Sequence, residues 1–298
     1  MKTLLRFGLV LLFLGCAKEE SVEPSAEVAT TETQTTAQST SAPPPTQVQK
    51  TFTLPAGAPI PAEGVLLWLS GDDAAAGSRD GKVQKWENAL AGNATATAVA
   101  PDKLPAVVAN ALNGHAVVRF DGTDQTLMSS VDIRPSGMPV GTVITVFNST
   151  TGDPSPLRKL YGNDNGGYDR AVGLDDRAAG TSYTVFTGTF VAGYFQLAPN
   201  TTYVVVDEYS PKEFSGWVNG AATLTRIVTD WQDDSLPNMY IGGTGTVYSE
   251  YWSGDLAEVI VYARKLSDAE RTQVEDYLAQ KYGVALARGN ATATSTEP

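Results

Sequence analysis

At 298 residues, with 42% hydrophobic and 9% aromatic content, the chain is long enough for one large β-sandwich or two small domains. The net charge of −12 repels phosphate backbones, which argues against nucleic acid as a partner. The single cysteine, Cys16, excludes an internal disulfide. No break in composition interrupts residues 60–284, so we expect one domain there.

The N-terminus has the layout of a bacterial lipoprotein signal. Residues 1–6 are positively charged, residues 7–14 form a short apolar run, and Gly15-Cys16 resembles the cleavage point of a lipobox. The apolar run is far shorter than the ~20 residues that span a bilayer. We therefore predict a signal peptide over residues 1–16 with lipid attached at Cys16. The mature protein is then a membrane-anchored lipoprotein at the outer membrane or cell surface of a bacterium, whereas the alternative is an ordinary secretory signal with an incidental cysteine.

Both ends of the mature chain have a polar, low-complexity composition. Residues 17–50 are dominated by Ser, Thr, Glu, Gln, Ala and Pro and contain no aromatic residue, so they cannot bury enough apolar surface to offset the entropy of ordering. We predict a disordered Ser/Thr/Pro-rich tether over residues 17–55 and a disordered tail over residues 287–298. The folded domain is expected between them, over residues 56–286.

Most segments of this domain have the residue types of β-strands. Residues 142–147 and 202–206 are β-branched and aromatic runs of the length that a sandwich core needs. Asn219-Gly220 predicts a hairpin with a type I′ turn, because both central residues of that turn take positive φ. Further strands are predicted at 182–187, 190–197 and 239–241, and a short helix at 83–90.

The C-terminal part predicts a buried strand that leads through a turn into a capped helix. Ser267 and Glu270 have the spacing of a capping box, in which each side chain binds the backbone N–H of the other residue. Val274, Tyr277 and Leu278 share one helical face. Gly283 suits the left-handed position that ends a helix.

Residues 254–271 read G-D-L-A-E-V-I-V-Y-A-R-K-L-S-D-A-E-R. This wording closely resembles the C-terminal signature of bacterial LamG-like, concanavalin A-like jelly-roll domains. Earlier segments resemble the same family in the same order, at residues 64–69, 86–93, 117–122 and 216–220. The resemblance implies an all-β fold, a two-sheet antiparallel jelly-roll sandwich with one C-terminal α-helix. It does not fix the activity, because this superfamily includes lectins, glycosidases, adhesion modules and spacers.

The acidic residues do not follow the pattern of the glycosidases on this fold. Those enzymes place their carboxylates in a Glu-x-Asp-x-(x)-Glu pattern, because alternate residues of a strand share a face. No Glu in this chain has Asp two residues later. Asp207 and Glu208 are adjacent, and Asp255 and Glu258 are three apart, so each pair is expected to face opposite sides. This pattern argues against hydrolysis.

Glu258 and His115 are each given a structural interpretation. Glu258 shares a predicted face with Leu256, Ile260 and Tyr262, and a carboxylate on an apolar face must be hydrogen-bonded or paired. We expect it to anchor its strand to a neighbour. His115 is the only histidine and is expected at the surface or at a sheet edge.

Calcium is the candidate cofactor. Residues 162–169 provide closely spaced oxygen ligands on a glycine-rich loop, as Ca²⁺ prefers, and Asn163, Asp164 and Asp169 are the candidate ligands. The alternative is a plain turn, because Asn, Asp and Gly also build turns without any ion.

Two aromatic groups are candidates for ligand binding. Trp231 lies beside Asp230 in a very polar stretch, and Tyr248, Tyr251 and Trp252 cluster before the final strand. An exposed aromatic platform flanked by acids is typical of carbohydrate recognition, whereas the alternative is that these rings cover the end of the sandwich.

Together these features predict a surface-tethered, non-catalytic carbohydrate-binding or adhesion module, assisted by calcium, which binds a glycan or protein ligand at its loop rim. In this interpretation the protein is not an enzyme. It contacts the membrane through its lipid anchor only. The alternatives left open are an atypical polysaccharide-active enzyme and a structural spacer of the cell envelope.

Overall fold

The computed structural model describes residues 54, 57–90, 94–165, 169–178, 180–188, 190–228, 236–245 and 248–288. This part contains two helices, α1 (Gly71–Gly77) and α2 (Asp268–Tyr282). Neither of them is long and apolar enough to cross a membrane. The strands in chain order are β1 (Val65–Ser70), β2 (Lys85–Trp86), β3 (Ala96–Ala98), β4 (Ala106–Leu112), β5 (His115–Asp121), β6 (Leu127–Asp132), β7 (Gly141–Phe147), β8 (Arg158–Gly162), β9 (Asp169–Leu174), β10 (Tyr183–Gly188), β11 (Phe190–Phe195), β12 (Tyr203–Ser210), β13 (Glu213–Val218), β14 (Ala221–Val228), β15 (Asn238–Ile241) and β16 (Ser253–Tyr262).

The strands form two antiparallel sheets of eight strands each. The first has the order β14-β13-β12-β7-β16-β5-β4, and β1 also pairs with β16. The second has the order β11-β10-β9-β8-β15-β6-β3-β2. The predicted all-β class with two antiparallel sheets and a C-terminal helix is therefore confirmed. Helix α1, which directly follows β1, was not predicted.

The two sheets share one hydrophobic core. Val143 and Phe147 of β7 pack in it with Leu160 of β8 and Val172 of β9, so the sheets face each other. The alternate residues of β7 point outward, and Ile144 packs there in a second cluster. Because both faces of β7 are covered, its seven residues are all buried.

Helix α2 covers the outer face of the first sheet. Val274, Leu278 and Tyr282 pack onto that face together with Ile260 of β16. The helix begins as predicted and ends at Gly283, which has a φ of 68°.

We expect Ser267→Ala to lower the free energy of unfolding by about 1 kcal/mol. The Ser267 hydroxyl accepts the Glu270 N–H at 3.3 Å, and the Glu270 carboxylate accepts the Ser267 N–H at 2.9 Å. The substitution removes the first bond of this capping box. Urea unfolding measures the change, and Ser249→Ala, at an exposed serine outside any helix, is the control. Equal stability of the two variants would contradict the role of the cap.

The turn between β13 and β14 forms as predicted. Asn219 and Gly220 have φ values of 48° and 82°, the positive values of a type I′ turn. The helix predicted at 83–90 is wrong, because Lys85–Trp86 is the strand β2. Trp86 is buried in the core, and its Nε1 donates to the Ser70 carbonyl at 2.7 Å. Burial of this ring fixes the segment in an extended conformation.

Candidate functional site

A cleft of about 270 Å³ lies beside strands of the second sheet and is lined by Asp164, Arg177, Phe186, Tyr248 and Glu250. We call it the Glu250 cleft. Asp164 follows β8, Arg177 follows β9 and Phe186 lies in β10, so adjacent strands bring these three together. Tyr248 and Glu250 come from the connection between β15 and β16.

A buried ion pair lies beside this cleft. The Lys159 Nζ is 2.6 Å from the Asp175 Oδ2, and both side chains are fully buried. Arg177 completes the group, because its Nε donates to the Asp175 Oδ1 at 2.8 Å and its guanidinium lies 5.0 Å from the centre of the Phe186 ring. The Lys159–Asp175 pair therefore fixes the position of Arg177 at the cleft.

Glu250 has a carboxyl group suited to holding a proton. Its Oε2 is buried and has no hydrogen-bond partner in the described part of the chain. Burial raises the pKa of Glu250; the Lys159 charge opposes the rise and the Asp164 charge adds to it. The Glu250 carbonyl accepts the Lys159 N–H at 3.0 Å, which ties this residue to β8. The cleft thus combines an acid of raised pKa with a second carboxylate, that of Asp164.

Tyr248 supplies an aromatic surface to the same cleft and is 39% exposed. The sequence predicted Tyr248 as a ligand-binding residue and Asp164 as a metal ligand, in two separate sites. The structure brings them together. The sequence analysis did not single out Glu250 or Arg177. The position of Glu250 between two tyrosines, Tyr248 and Tyr251, is the signal that could have identified it.

Tyr251 lines a second cleft, of about 240 Å³, which we call the Tyr251 cleft. Its other lining residues include Val99, Lys103, Asp124 and Thr126. Tyr251 and Tyr248 therefore line two different clefts, and ligand binding by them stays a prediction.

The prediction that Trp252 lies on an exposed rim is wrong. Trp252 is 0% exposed, and its ring packs edge-on against Phe147 at 5.4 Å. Its Nε1 donates to the Asn148 carbonyl at 3.2 Å. The ring fills the core between the sheets, because Trp252 immediately precedes β16. Asp230 and Trp231, like the lipid attachment site Cys16, lie outside the described residues.

The predicted calcium ligands have different surroundings. The Asn163 side chain donates to the Leu236 carbonyl at 2.9 Å and accepts the Arg170 N–H at 2.9 Å, so both ends of its amide have a structural role. Asp164 lines the Glu250 cleft, and of Asp169 only the backbone, at the start of β9, is described. Residues 166–168 lie outside the described part. Within that part, no group of three or more His, Cys, Asp or Glu side chains is placed to hold a metal ion. Calcium binding stays a prediction.

The two other acidic pairs of the sequence have structural roles. β16 has a bulge between Leu256 and Glu258, so Leu256 and Val259 both point into the core. Asp255 and Glu258 therefore share the outer face, which corrects the expectation that they face opposite sides. Glu258 is paired as predicted, with the Trp68 Nε1 at 2.5 Å, the Lys281 Nζ at 2.7 Å and the Tyr282 hydroxyl.

Asp255 and His115 are also held in pairs. Asp255 accepts two bonds from Arg119, at 2.6 and 2.8 Å. The His115 Nδ1 is 2.8 Å from the Asp72 Oδ2, and the imidazole is partly exposed on β5. These contacts connect strands and helices, and they leave the Glu250 cleft as the candidate for chemistry.

The fold and the cleft define a two-sheet β-sandwich with a pair of carboxyl groups in one cleft. Neither a family model nor a curated protein matches the sequence. Trypanosoma rangeli sialidase in complex with sialic acid is similar over 77% of this chain, with a TM-score of 0.53 and 19% identity. The matched region spans only 35% of the sialidase.

Two further solved structures are similar to the chain. Domain 4 of AbnA, a GH43 extracellular arabinanase from Geobacillus stearothermophilus, in complex with arabinotriose, matches 72% of this chain and 97% of that domain, with a TM-score of 0.51 and 12% identity. A GH54 α-L-arabinofuranosidase soaked with 4-nitrophenyl α-L-arabinofuranoside matches 67% of this chain and 51% of its own, with a TM-score of 0.51 and 13% identity. At such identities the likeness establishes the fold.

These similar structures correct the functional prediction. All three come from glycosidases, which contradicts the expectation of a non-catalytic binding or adhesion module and of a protein that is not an enzyme. The missing Glu-x-Asp-x-(x)-Glu pattern does not exclude a pair of carboxyl groups in one cleft. The carboxyl groups of the Glu250 cleft come from two separate segments, which a pattern on one strand does not describe.

Proposed function

We propose that the protein is an atypical polysaccharide-active enzyme that hydrolyses glycosidic bonds in the Glu250 cleft. The observation that carries this proposal is the buried Glu250 Oε2, which has no partner in the described part of the chain and lies in one cleft with Asp164. Glycoside hydrolysis requires two carboxyl groups with different protonation states, and burial raises the pKa of Glu250.

Each residue of the cleft has a role in this reaction. Glu250 donates its proton to the glycosidic oxygen while the bond between that oxygen and the sugar carbon breaks. Asp164 stabilises the positive charge that develops at the carbon. A water molecule then adds its hydroxyl to the carbon and returns a proton to Glu250, so two shorter glycans leave and the site is restored.

Arg177 and Tyr248 position the substrate. The Arg177 guanidinium, held by Asp175, places a positive charge and donor groups beside both carboxyl groups. The exposed Tyr248 ring offers a flat face to the C–H groups of a sugar. The likeness to structures obtained with sialic acid, arabinotriose and an arabinofuranoside supports a glycan as the substrate class.

We also propose the finer architecture that the sequence implies. The sandwich is a LamG-like, concanavalin A-like jelly roll over residues 56–286, and residues 17–55 and 287–298 are a disordered tether and tail. Cys16, the last residue of the signal segment 1–16, carries the lipid that anchors the protein at the outer membrane or cell surface. Residues 1–53 and 289–298 lie outside the described part. Labelling of wild type and Cys16→Ser with a fatty-acid analogue tests the anchor, and equal labelling would contradict it.

We expect Glu250→Gln to lower the rate of hydrolysis by at least about 100-fold, in line with the loss of a general acid. Glutamine keeps the shape of the side chain but has no acidic proton. The purified protein is incubated with arabinan, xylan, pectin and laminarin, and new reducing ends are counted. Because burial raises the pKa of Glu250, wild-type activity is expected to fall as pH rises through that raised value.

Glu213→Gln is the matched control, because Glu213 is a partly exposed glutamate on the other sheet. It should cleave at the wild-type rate, whereas Asp164→Asn should lose activity as Glu250→Gln does. The absence of new reducing ends from every polymer, or full activity of Glu250→Gln, would overturn the proposal.

A further inference from the structure

We infer that the Tyr251 cleft binds a further sugar of the same glycan, so that the substrate is a linear, uncharged polysaccharide that extends over both clefts. This inference rests on the proposed function for its polymer, but it concerns different residues. It makes the Tyr251 cleft a binding site that extends the candidate active site and recognises the interior of a chain, not a terminal sugar alone.

The Tyr251 cleft has the mixture of groups that a sugar ring requires. The Thr126 side chain is 4% exposed, and its Oγ1 has no hydrogen-bond partner in the described part of the chain. Such a buried hydroxyl costs free energy unless a ligand or water satisfies it. The Tyr251 ring and Val99, which is 38% exposed, provide the apolar surface of the cleft.

The charged residues of the cleft fit an uncharged ligand. The Lys103 Nζ lies 3.3 Å from the Asp124 Oδ2, and both side chains are partly exposed at the cleft. An anionic ligand would meet the Asp124 carboxylate, whereas an apolar ligand would leave the Thr126 hydroxyl without a partner and would remove water from the Lys103–Asp124 pair. Sugar hydroxyls both donate and accept, so they satisfy all three.

The backbone connects this cleft to the Glu250 cleft. Glu250 and Tyr251 are consecutive residues, and Tyr251 pairs in parallel with Lys159 of β8. In such an extended segment neighbouring side chains point to opposite sides, and residues two apart point to the same side. Tyr248 and Glu250 accordingly line one cleft, and Tyr251 lines the other. The inferred glycan crosses this segment to occupy both clefts.

Binding to the full-length Glu250→Gln protein, which lacks the proposed acid, separates this inference from catalysis. The probes are oligosaccharides of two to eight sugars prepared from arabinan, xylan and laminarin, and isothermal titration calorimetry measures their affinity. We expect affinity to rise with length until both clefts are filled. Thr126→Val and Tyr251→Ala, added to Glu250→Gln, should each weaken binding of the long oligosaccharides by about tenfold.

A matched pair of surface variants controls for folding. Asp124 and Glu213 are both 35% exposed and both form an ion pair with a basic side chain, but only Asp124 lines the Tyr251 cleft. Asp124→Asn should weaken binding of the long oligosaccharides, and Glu213→Gln should not.

Each outcome decides one proposal or both. Binding that ignores length, or that is insensitive to Tyr251→Ala, Thr126→Val and Asp124→Asn, overturns the inference and leaves the proposed hydrolysis standing. Length-dependent binding through these residues, in a wild-type protein that cleaves nothing, supports the inference and overturns the hydrolysis. No binding by any of the three series overturns the inference, and new reducing ends from any polymer then decide the proposed hydrolysis separately.

Discussion

Replacing Lys159 with methionine is expected to lower the free energy of unfolding by about 3–5 kcal/mol, the cost of breaking a buried ion pair by removing one partner. The Lys159 and Asp175 side chains are both fully buried, 2.6 Å apart. Methionine fills a similar volume but leaves the Asp175 carboxylate with Arg177 as its remaining charged partner among the described residues. Urea unfolding, followed by fluorescence, measures the loss.

Lys85→Met is the matched control. The Lys85 Nζ lies 2.7 Å from the Glu87 Oε1, almost the same distance, but both side chains are 51% exposed. An exposed pair contributes at most about 1 kcal/mol, so the control should change stability little. Equal losses for the two variants would show that burial does not decide the value of the Lys159 pair.

A double variant with Asp175→Asn sharpens the test. If the cost of Lys159→Met comes from the unpaired carboxylate of Asp175, the double variant should be more stable than the sum of the two single losses implies.

Although burial acts in the opposite direction, bonds from Arg177 and Lys159 lower the pKa of Asp175 to about 2. Its stabilising contribution is thus present above its ordinary value of 3.8 and is lost as pH falls towards 2.

The elements that the sequence predicted correctly are those specified by local chemistry. The capping box of Ser267 and Glu270 and the turn at Asn219-Gly220 each satisfy backbone groups within a few residues. All the residues that such a signal needs lie within a short stretch of sequence. The β-branched run of β7 was also readable, because burial on both faces requires an unbroken apolar strand.

The candidate site could be predicted only in part, because its residues are distant in sequence. Asp164, Arg177 and Glu250 meet only after β8, β9 and the segment before β16 have paired. Tyr248 was found because an aromatic residue in a polar loop is conspicuous. The prediction misplaced Trp252, because an aromatic residue just before a strand is found both on an exposed rim and at the edge of a buried core.

The buried Asp207 is expected to make the protein less stable as pH rises from about 4 to about 7. Asp207 is 0% exposed on β12, where its Oδ2 accepts the Tyr161 hydroxyl at 2.8 Å and its Oδ1 has no hydrogen-bond partner within the described residues. Burial raises the pKa of Asp207 from 3.8 to about 7, against the opposing effect of the hydrogen bond from Tyr161. The unfolded chain therefore loses this proton at lower pH than the folded chain does, and folding becomes less favourable across that interval.

We expect Asp207→Asn to remove this pH dependence. A difference of about 3 pKa units corresponds to about 4 kcal/mol, so the variant should gain up to that amount relative to wild type between pH 4 and pH 7. Asparagine keeps the shape of the side chain and has no charge to bury. Urea unfolding at steps of one pH unit from 4 to 8 measures the difference, with Asp102→Asn at an exposed position as the control. The difference should level off above pH 7, where the folded wild type has also lost its proton, and a difference that is constant from pH 4 upward would contradict the burial of a neutral carboxyl group.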